Sequence, residues 1–124
     1  MTLADQAVLM RIFVGEADKV GHSPLYERIV QEARTSGLAG ATAWKGVTGF
    51  GATSTIRTAR VLDLSADLPV VIELVDEEMK LKDFQAVLDE LFEKADCGGL
   101  VTLERVNVHR YSASRRRVSE AEHS

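Results

Sequence analysis

Two stretches of this sequence carry apolar side chains on both faces of an extended chain, and that limits the fold more than any other feature. In Ala7 to Gly15, Val8, Met10, Ile12 and Val14 share one face, while Ala7, Leu9, Arg11 and Phe13 share the other. In Pro69 to Val75, Val70, Val71, Ile72, Leu74 and Val75 occupy both faces, interrupted by Glu73. Such strands belong in the middle of a sheet that is covered on both sides.

The intervening segments supply helices. Ser23-Pro24 reads as a helix start, because Ser is a favoured N-cap and Pro is pre-shaped for the first helical position. Leu25, Ile29 and Ala33, with Tyr26 and Val30, repeat at helical spacing as far as Gly37, a C-cap. Asp76 is placed to cap a second helix, with Glu77 and Glu78 in its first turn complementing the helix dipole. Leu81, Phe84, Leu88, Leu91 and Ala95 form its buried stripe, and Cys97-Gly98-Gly99 ends it. Further strands are expected at Ala41 to Val47 and from Leu100 to about Tyr111, and Ala59 to Leu64 reads as the first of two pieces of a third strand region that Pro69 to Val75 completes. In the last, the apolar parity flips from Val101 and Leu103 to Val106 and Val108, which predicts a bulge near Glu104-Arg105. The order is βαββαβ, an α+β ferredoxin-like sandwich with both helices on one face. A chain of 124 residues has no spare helix for the other face, so a second subunit is expected there. Trp44 is expected in the core or that interface.

At 45% hydrophobic and 27% charged, the chain can bury one core, assigned to residues 1–111; residues 112–124 read as a disordered, solvated tail. A single cysteine excludes a disulfide scaffold. Apolar runs such as Leu68 to Ile72 fall far short of the ~18–20 residues that span a bilayer. The first residues lack the basic region of a signal peptide, and a cytoplasmic protein is expected. A formal charge of −4 argues against nucleic acid as a partner, and Arg115-Arg116-Arg117 is too short and too near Glu120 and Glu122 to reverse that.

Chemistry concentrates between Gly46 and Arg60. Gly46, Gly49 and Gly51 let backbone N–H groups turn toward an anion, and Thr53, Ser54, Thr55, Arg57, Thr58 and Arg60 add donors. No Gly-Lys-Ser/Thr follows, so this is not a Walker A loop. It is either a ligand-binding or regulatory loop, or a hairpin whose glycines only allow tight turning. Phe50 is an anchor or a contact for a partner. His22, His109 and His123 have no metal-ligand spacing among themselves or with Cys97, so no metal is expected. Cys97 has no sequence-level partner for nucleophilic catalysis, and Asp76-Glu77-Glu78 fits helix capping better than acid/base work.

Ile12-Phe13-Val14-Gly15-Glu16, Pro24-Leu25-Tyr26-Glu27, Gly37-Leu38-Ala39-Gly40-Ala41-Thr42, Gly46-Val47-Thr48-Gly49-Phe50-Gly51, Thr58-Ala59-Arg60 and Asp67-Leu68-Pro69-Val70-Val71-Ile72 together resemble the PII-like family catalogued as domain of unknown function 190. The resemblance runs from about Leu9 to Tyr111. It implies a homotrimer of ferredoxin-like subunits whose sheets line a shared core, as in PII signalling proteins. PII proteins bind adenine nucleotides between subunits, at places that correspond here to about Val47 to Thr58, Asp96 to Gly99, and His109-Arg110. The loop lacks the tyrosine that some PII proteins have uridylylated. Leu100 stands where PII has a phosphate-contacting lysine, and Cys97-Gly98-Gly99 replaces the Gly-x-Gly of many members.

The expected function is therefore a signalling protein that binds a small anionic metabolite, an adenine nucleotide acting as effector, with no cofactor. Its ligand-binding residues would be Gly46, Gly49, Gly51, Arg57, Arg60, Gly98, Gly99, His109 and Arg110. Phe50, Thr53, Ser54 and Thr55 would face the regulated partner, a membrane channel or transporter or an enzyme. The alternatives are a small enzyme acting on a phosphorylated metabolite, for which no nucleophile–base pair is visible, and an interaction protein without a ligand.

Overall fold

The computed structural model describes residues 6–51, 56–58 and 67–113. Its elements are β1 (Gln6–Gly15), β2 (Lys19–Val20), β3 (Ser23–Pro24), α1 (Leu25–Thr35), β4 (Gly40–Lys45), β5 (Thr48–Gly49), β6 (Arg57–Thr58), β7 (Pro69–Asp76), α2 (Glu78–Ala95) and β8 (Leu100–Asn107). Four strands form an antiparallel sheet in the order β4-β7-β1-β8, while β2-β3 and β5-β6 are small hairpins. This is the ferredoxin-like order, with β1 and β7, the two strands apolar on both faces, at the centre. The expected strand at Ala59 to Leu64 and nearly all of the expected tail lie outside the described residues.

On one face, Val8, Met10, Ile12 and Val14 of β1 and Val70, Ile72 and Leu74 of β7 meet the helices. Leu25, Ile29 and Ala33 of α1 and Leu81, Phe84, Leu88 and Leu91 of α2 complete this buried core. The opposite face carries Leu9, Phe13, Val71 and Val75, all half-buried, with Trp44 46% exposed beside Val71. At its middle, Arg11 bridges Glu73 at 2.7 Å and Glu104 at 2.6 Å across three strands. The hydrogen bond to Glu73, with both carboxylates' charge, holds the guanidinium above its usual range.

Local expectations are corrected at three points. Ser23-Pro24 does not cap α1 with a side chain; it pairs with Lys19–Val20 as β3, and the Leu25 N–H donates instead to the Asp18 carbonyl at 2.8 Å. A backbone partner replaces the side-chain cap. The expected bulge near Glu104-Arg105 is absent, since β8 pairs with β1 in unbroken register from Leu100 opposite Phe13 to Asn107 opposite Gln6. The parity flip arises because Val101 and Leu103 share the helix-side face while Val106 lies opposite Ala7 on the other. Gly37, in contrast, ends α1 as expected: at φ +77° its N–H reaches the Arg34 carbonyl and the Leu38 N–H reaches that of Ala33, a Schellman closure.

Asp76 is the third correction. It ends β7 rather than capping α2, and it is 1% exposed. One carboxylate oxygen accepts the Glu77 N–H at 2.6 Å and the other the Ala39 N–H at 2.9 Å, so it ties the approach to β4 onto the end of β7. Asp76→Ala should leave these two backbone donors without their charged acceptor and cost about 2–3 kcal/mol in urea denaturation. Asp76→Asn, which keeps one carbonyl acceptor, should lose less.

Candidate functional site

The site forms where β1 ends and β7 begins. Gly15 lies opposite Pro69 there, and β4 leaves the sheet beside them, its exit fixed by the Gly46 N–H donating to the Pro69 carbonyl at 2.7 Å. A Cβ at position 46 would come within 3.0 Å of Pro69 Cγ, so glycine lets the chain pass. The chain then turns back as the β5–β6 hairpin, with Thr48 opposite Thr58 and Gly49 opposite Arg57. From the other side, the turn after α2 brings in Gly98 and Gly99. A Cβ on Gly99 would sit 2.4 Å from Phe92 Cε1, a ring packed against the core, so this turn too requires glycine.

Between these walls lies a cleft of about 290 Å³. Phe13, Val14, Val70 and Val71 line it from the sheet, Gly46, Thr48, Gly49, Phe50, Gly51 and Arg57 from the hairpin side, and Gly98 and Gly99 from the turn. Strand exit and distant turn, expected from the sequence to act together, thus border one space. Phe50 is 71% exposed at its edge. Thr53, Ser54, Thr55 and Arg60 lie outside the described residues. His109 and Arg110 are not brought to this cleft within one chain. They follow the far end of β8, about 24 Å from Leu100 at strand rise, where Arg110 Nε donates to Ser112 Oγ at 3.2 Å.

Two details differ from the simple picture of an anion cradle. The Gly46 N–H already serves the Pro69 carbonyl, so glycine there shapes the path of the chain instead of offering a donor. Arg57 is already paired: Nε lies 3.1 Å from Asp67 Oδ2 and Nη2 lies 3.8 Å from Asp18 Oδ1. Its guanidinium rests over Gly15, whose hypothetical Cβ would be 2.2 Å from Arg57 Nε. Both carboxylates are themselves anchored. Asp18 accepts the Gly15 N–H at 2.8 Å and Asp67 accepts the Ala17 N–H at 2.9 Å. Nearby, Lys45 hydrogen-bonds Glu16 and holds that carboxyl below its usual range.

Sequence reasoning missed Gly15, Asp18 and Asp67. Gly15 stood within a quoted segment and Asp67 within another, but nothing local links them to Arg57; the sheet register does. Among the described residues, no group of three or more His, Cys, Asp or Glu side chains is arranged to hold a metal.

Residues 7–108 match the profile of DUF190, described as an uncharacterized ACR. The chain belongs to the DUF190 family. A UPF0166 protein of Aquifex aeolicus is 40% identical over 100 residues, covering 81% of this chain and 90% of the relative. One from Methanocaldococcus jannaschii is 30% identical over 105 residues, covering 85% and 94%. This DUF190 chain also shares its fold with CPII, a nitrogen regulatory PII-like protein from Thiomonas intermedia solved with ADP, AMP and bicarbonate. The TM-score is 0.64 at 17% identity, covering 85% of this chain and 90% of that one. A candidate PII-like signalling protein from Thermus thermophilus gives 0.58 at 19%, covering 83% and 89%.

Cys97 stands just before the glycine turn and packs against the core. Burial, then the negative charge of Asp18, push its thiol up to about 11, with Arg57 opposing and Asp96 adding a little. The group is a thiol at neutral pH, the opposite of an activated nucleophile. Two units above the ordinary 9.0 leave about 100-fold less thiolate at pH 8, so alkylation should be about that much slower than in the unfolded chain. Asp18→Asn removes one raising cause and should bring the pKa down, read by thiol titration against pH. Stability should fall as pH rises from about 9 toward 11, where the unfolded thiol ionises and the folded one does not.

Proposed function

We propose that this DUF190 protein is a PII-like regulatory protein, a homotrimer that binds an adenine nucleotide in the cleft beside Gly46–Gly51 and signals through the 47–58 loop. The observation that carries this reading is the position of the cleft. It opens between the hairpin and the Gly98-Gly99 turn, and Phe13 and Val71 in its lining belong to the sheet face that, among the described residues, no helix covers. Subunits meeting on that face would bury Leu9, Val75, Trp44 and Leu100 and would wall the cleft from outside. The apolar sheet side suits a flat base, and Arg57 with the hairpin backbone suits an anionic group. At about 290 Å³ the cleft of one chain is at the small end of ligand pockets, which fits a site completed by a neighbour. His109 and Arg110, at the opposite end of the sheet, would serve such a site only from an adjacent subunit.

Ligand seated against the hairpin would bias its conformation, and the loop beyond Phe50, with Thr53, Ser54 and Thr55, would then offer or withdraw a surface for the regulated partner, a channel, transporter or enzyme. The nucleotides bound by CPII support the ligand class.

Calorimetry against AMP, ADP and ATP is the direct test. Binding of at least one is expected, and Arg57→Ala should weaken it by about 1.5 kcal/mol, the lower end for a hydrogen bond to a charged group. No heat with any of them, and no nucleotide carried through purification, would refute the adenine reading. For assembly, light scattering should report a trimer. Val71→Asp, on the open face, should give folded monomers, whereas Ile72→Asp, in the helix-side core, should unfold the chain. A folded wild-type monomer at micromolar concentration would refute the trimer.

A further inference from the structure

We infer that Asp18, Asp67 and Gly15 form a latch on Arg57, and that an anionic ligand of the nucleoside monophosphate class binds by taking this guanidinium from the two carboxylates. The inference rests on the nucleotide reading above and assigns its regulation to residues outside the cleft lining.

Arg57 is the residue of β6 that both lines the cleft and pairs away from it. Its side chain is 17% exposed, with Nε directed to Asp67 and Nη2 to Asp18. The two carboxylates hold it from different segments, the turn after β1 and the approach to β7, and each is fixed by a backbone N–H. The missing side chain at Gly15 gives the guanidinium its seat. The hairpin is thereby fastened to the sheet through the Arg57 side chain. A phosphate is a better partner for a guanidinium than a distant carboxylate at 3.8 Å, because it offers bidentate, charge-assisted bonds. When it takes Arg57, the hairpin is tied to the ligand instead of to the sheet. The apparent affinity is lowered by the fraction of molecules that remain latched. Asp18 and Asp67 are positioning residues in this scheme, acting on the ligand through Arg57.

The test is calorimetry of AMP binding to the full-length protein and to three variants, each checked for an unchanged melting temperature. Asp67→Asn keeps the shape and removes the competing charge, and should tighten AMP binding about fivefold, the holding factor of a partly exposed ion pair. Gly15→Ala leaves every charge in place but pushes the guanidinium off its seat, and should tighten binding in the same direction. Asp96→Asn alters a carboxylate that makes no ion pair with Arg57, and should leave affinity within about twofold. General damage to the cleft would weaken binding, so tightening separates a latch from a structural support. Weaker or unchanged binding in Asp67→Asn, or equal tightening in Asp96→Asn, overturns the latch while leaving the nucleotide reading intact. Absence of AMP binding in wild type and variants alike overturns the latch, and the nucleotide reading falls with it only if ADP and ATP also give no heat.

Discussion

The antiparallel pairing of β1 with β7 is the constraint on which the rest of this structure depends. Eight residue pairs, from Val8 opposite Asp76 to Gly15 opposite Pro69, lock two doubly apolar strands side by side. A slip of one residue would exchange the helix-side and open-side sets, exposing Met10, Ile12, Ile72 and Leu74. The register therefore decides where the core lies, and the two helices need only offer one apolar stripe each. It also decides what is left over, a second face with Phe13, Val71 and Val75 around the Arg11–Glu73–Glu104 ion-pair group.

The cleft is a consequence of the same pairing. Because Gly15 ends β1 where Pro69 starts β7, the exits of β1 and β4, the entry of β7 and the turn after α2 converge at one end of the sheet. Crowding there explains the glycines. Gly46 passes Pro69, Gly99 passes the Phe92 ring, and Gly15 receives the Arg57 guanidinium. Its electrostatics are those of a closed circuit: Arg57 is held by Asp18 and Asp67, and Lys45 by Glu16. A ligand's anionic group would meet an arginine already occupied, and the loop that carries it is held by the pairing that the ligand would have to break.

The family likeness and the geometry answer different questions. Membership of DUF190 and the shared fold with PII-like proteins establish the architecture, since sheet order and helix placement are what such likeness measures. What the cleft could bind rests on the convergence of particular residues, and one departure from PII, Leu100 after Gly99, stands next to it in the chain.

Much of the fold was legible in the sequence because its signals are local. Two-sided apolar alternation marked β1 and β7, the Leu81–Leu91 stripe marked α2, and Gly37 marked the end of α1. The glycines of the strand exit and of the turn after α2 were legible as turning points for the same reason: a chain that must turn tightly shows it in its own composition. The corrections all involve partners outside the residue's own element. Asp76 looked like a cap because its neighbours are a helix, yet it holds Ala39, 37 residues away. Ser23-Pro24 looked like a helix start because the strand it pairs with is too short to show a period. Gly15, Asp18 and Asp67 could not be joined to Arg57 by any spacing rule. The sequence by itself determined where the central strands and the two helices lie and which of their faces must be buried, since periodicity and propensity are properties of neighbouring residues. Only the tertiary structure decided that Arg57 is held, by which carboxylates and over which glycine, since an ion pair depends on distance in space, and that distance is set by sheet register.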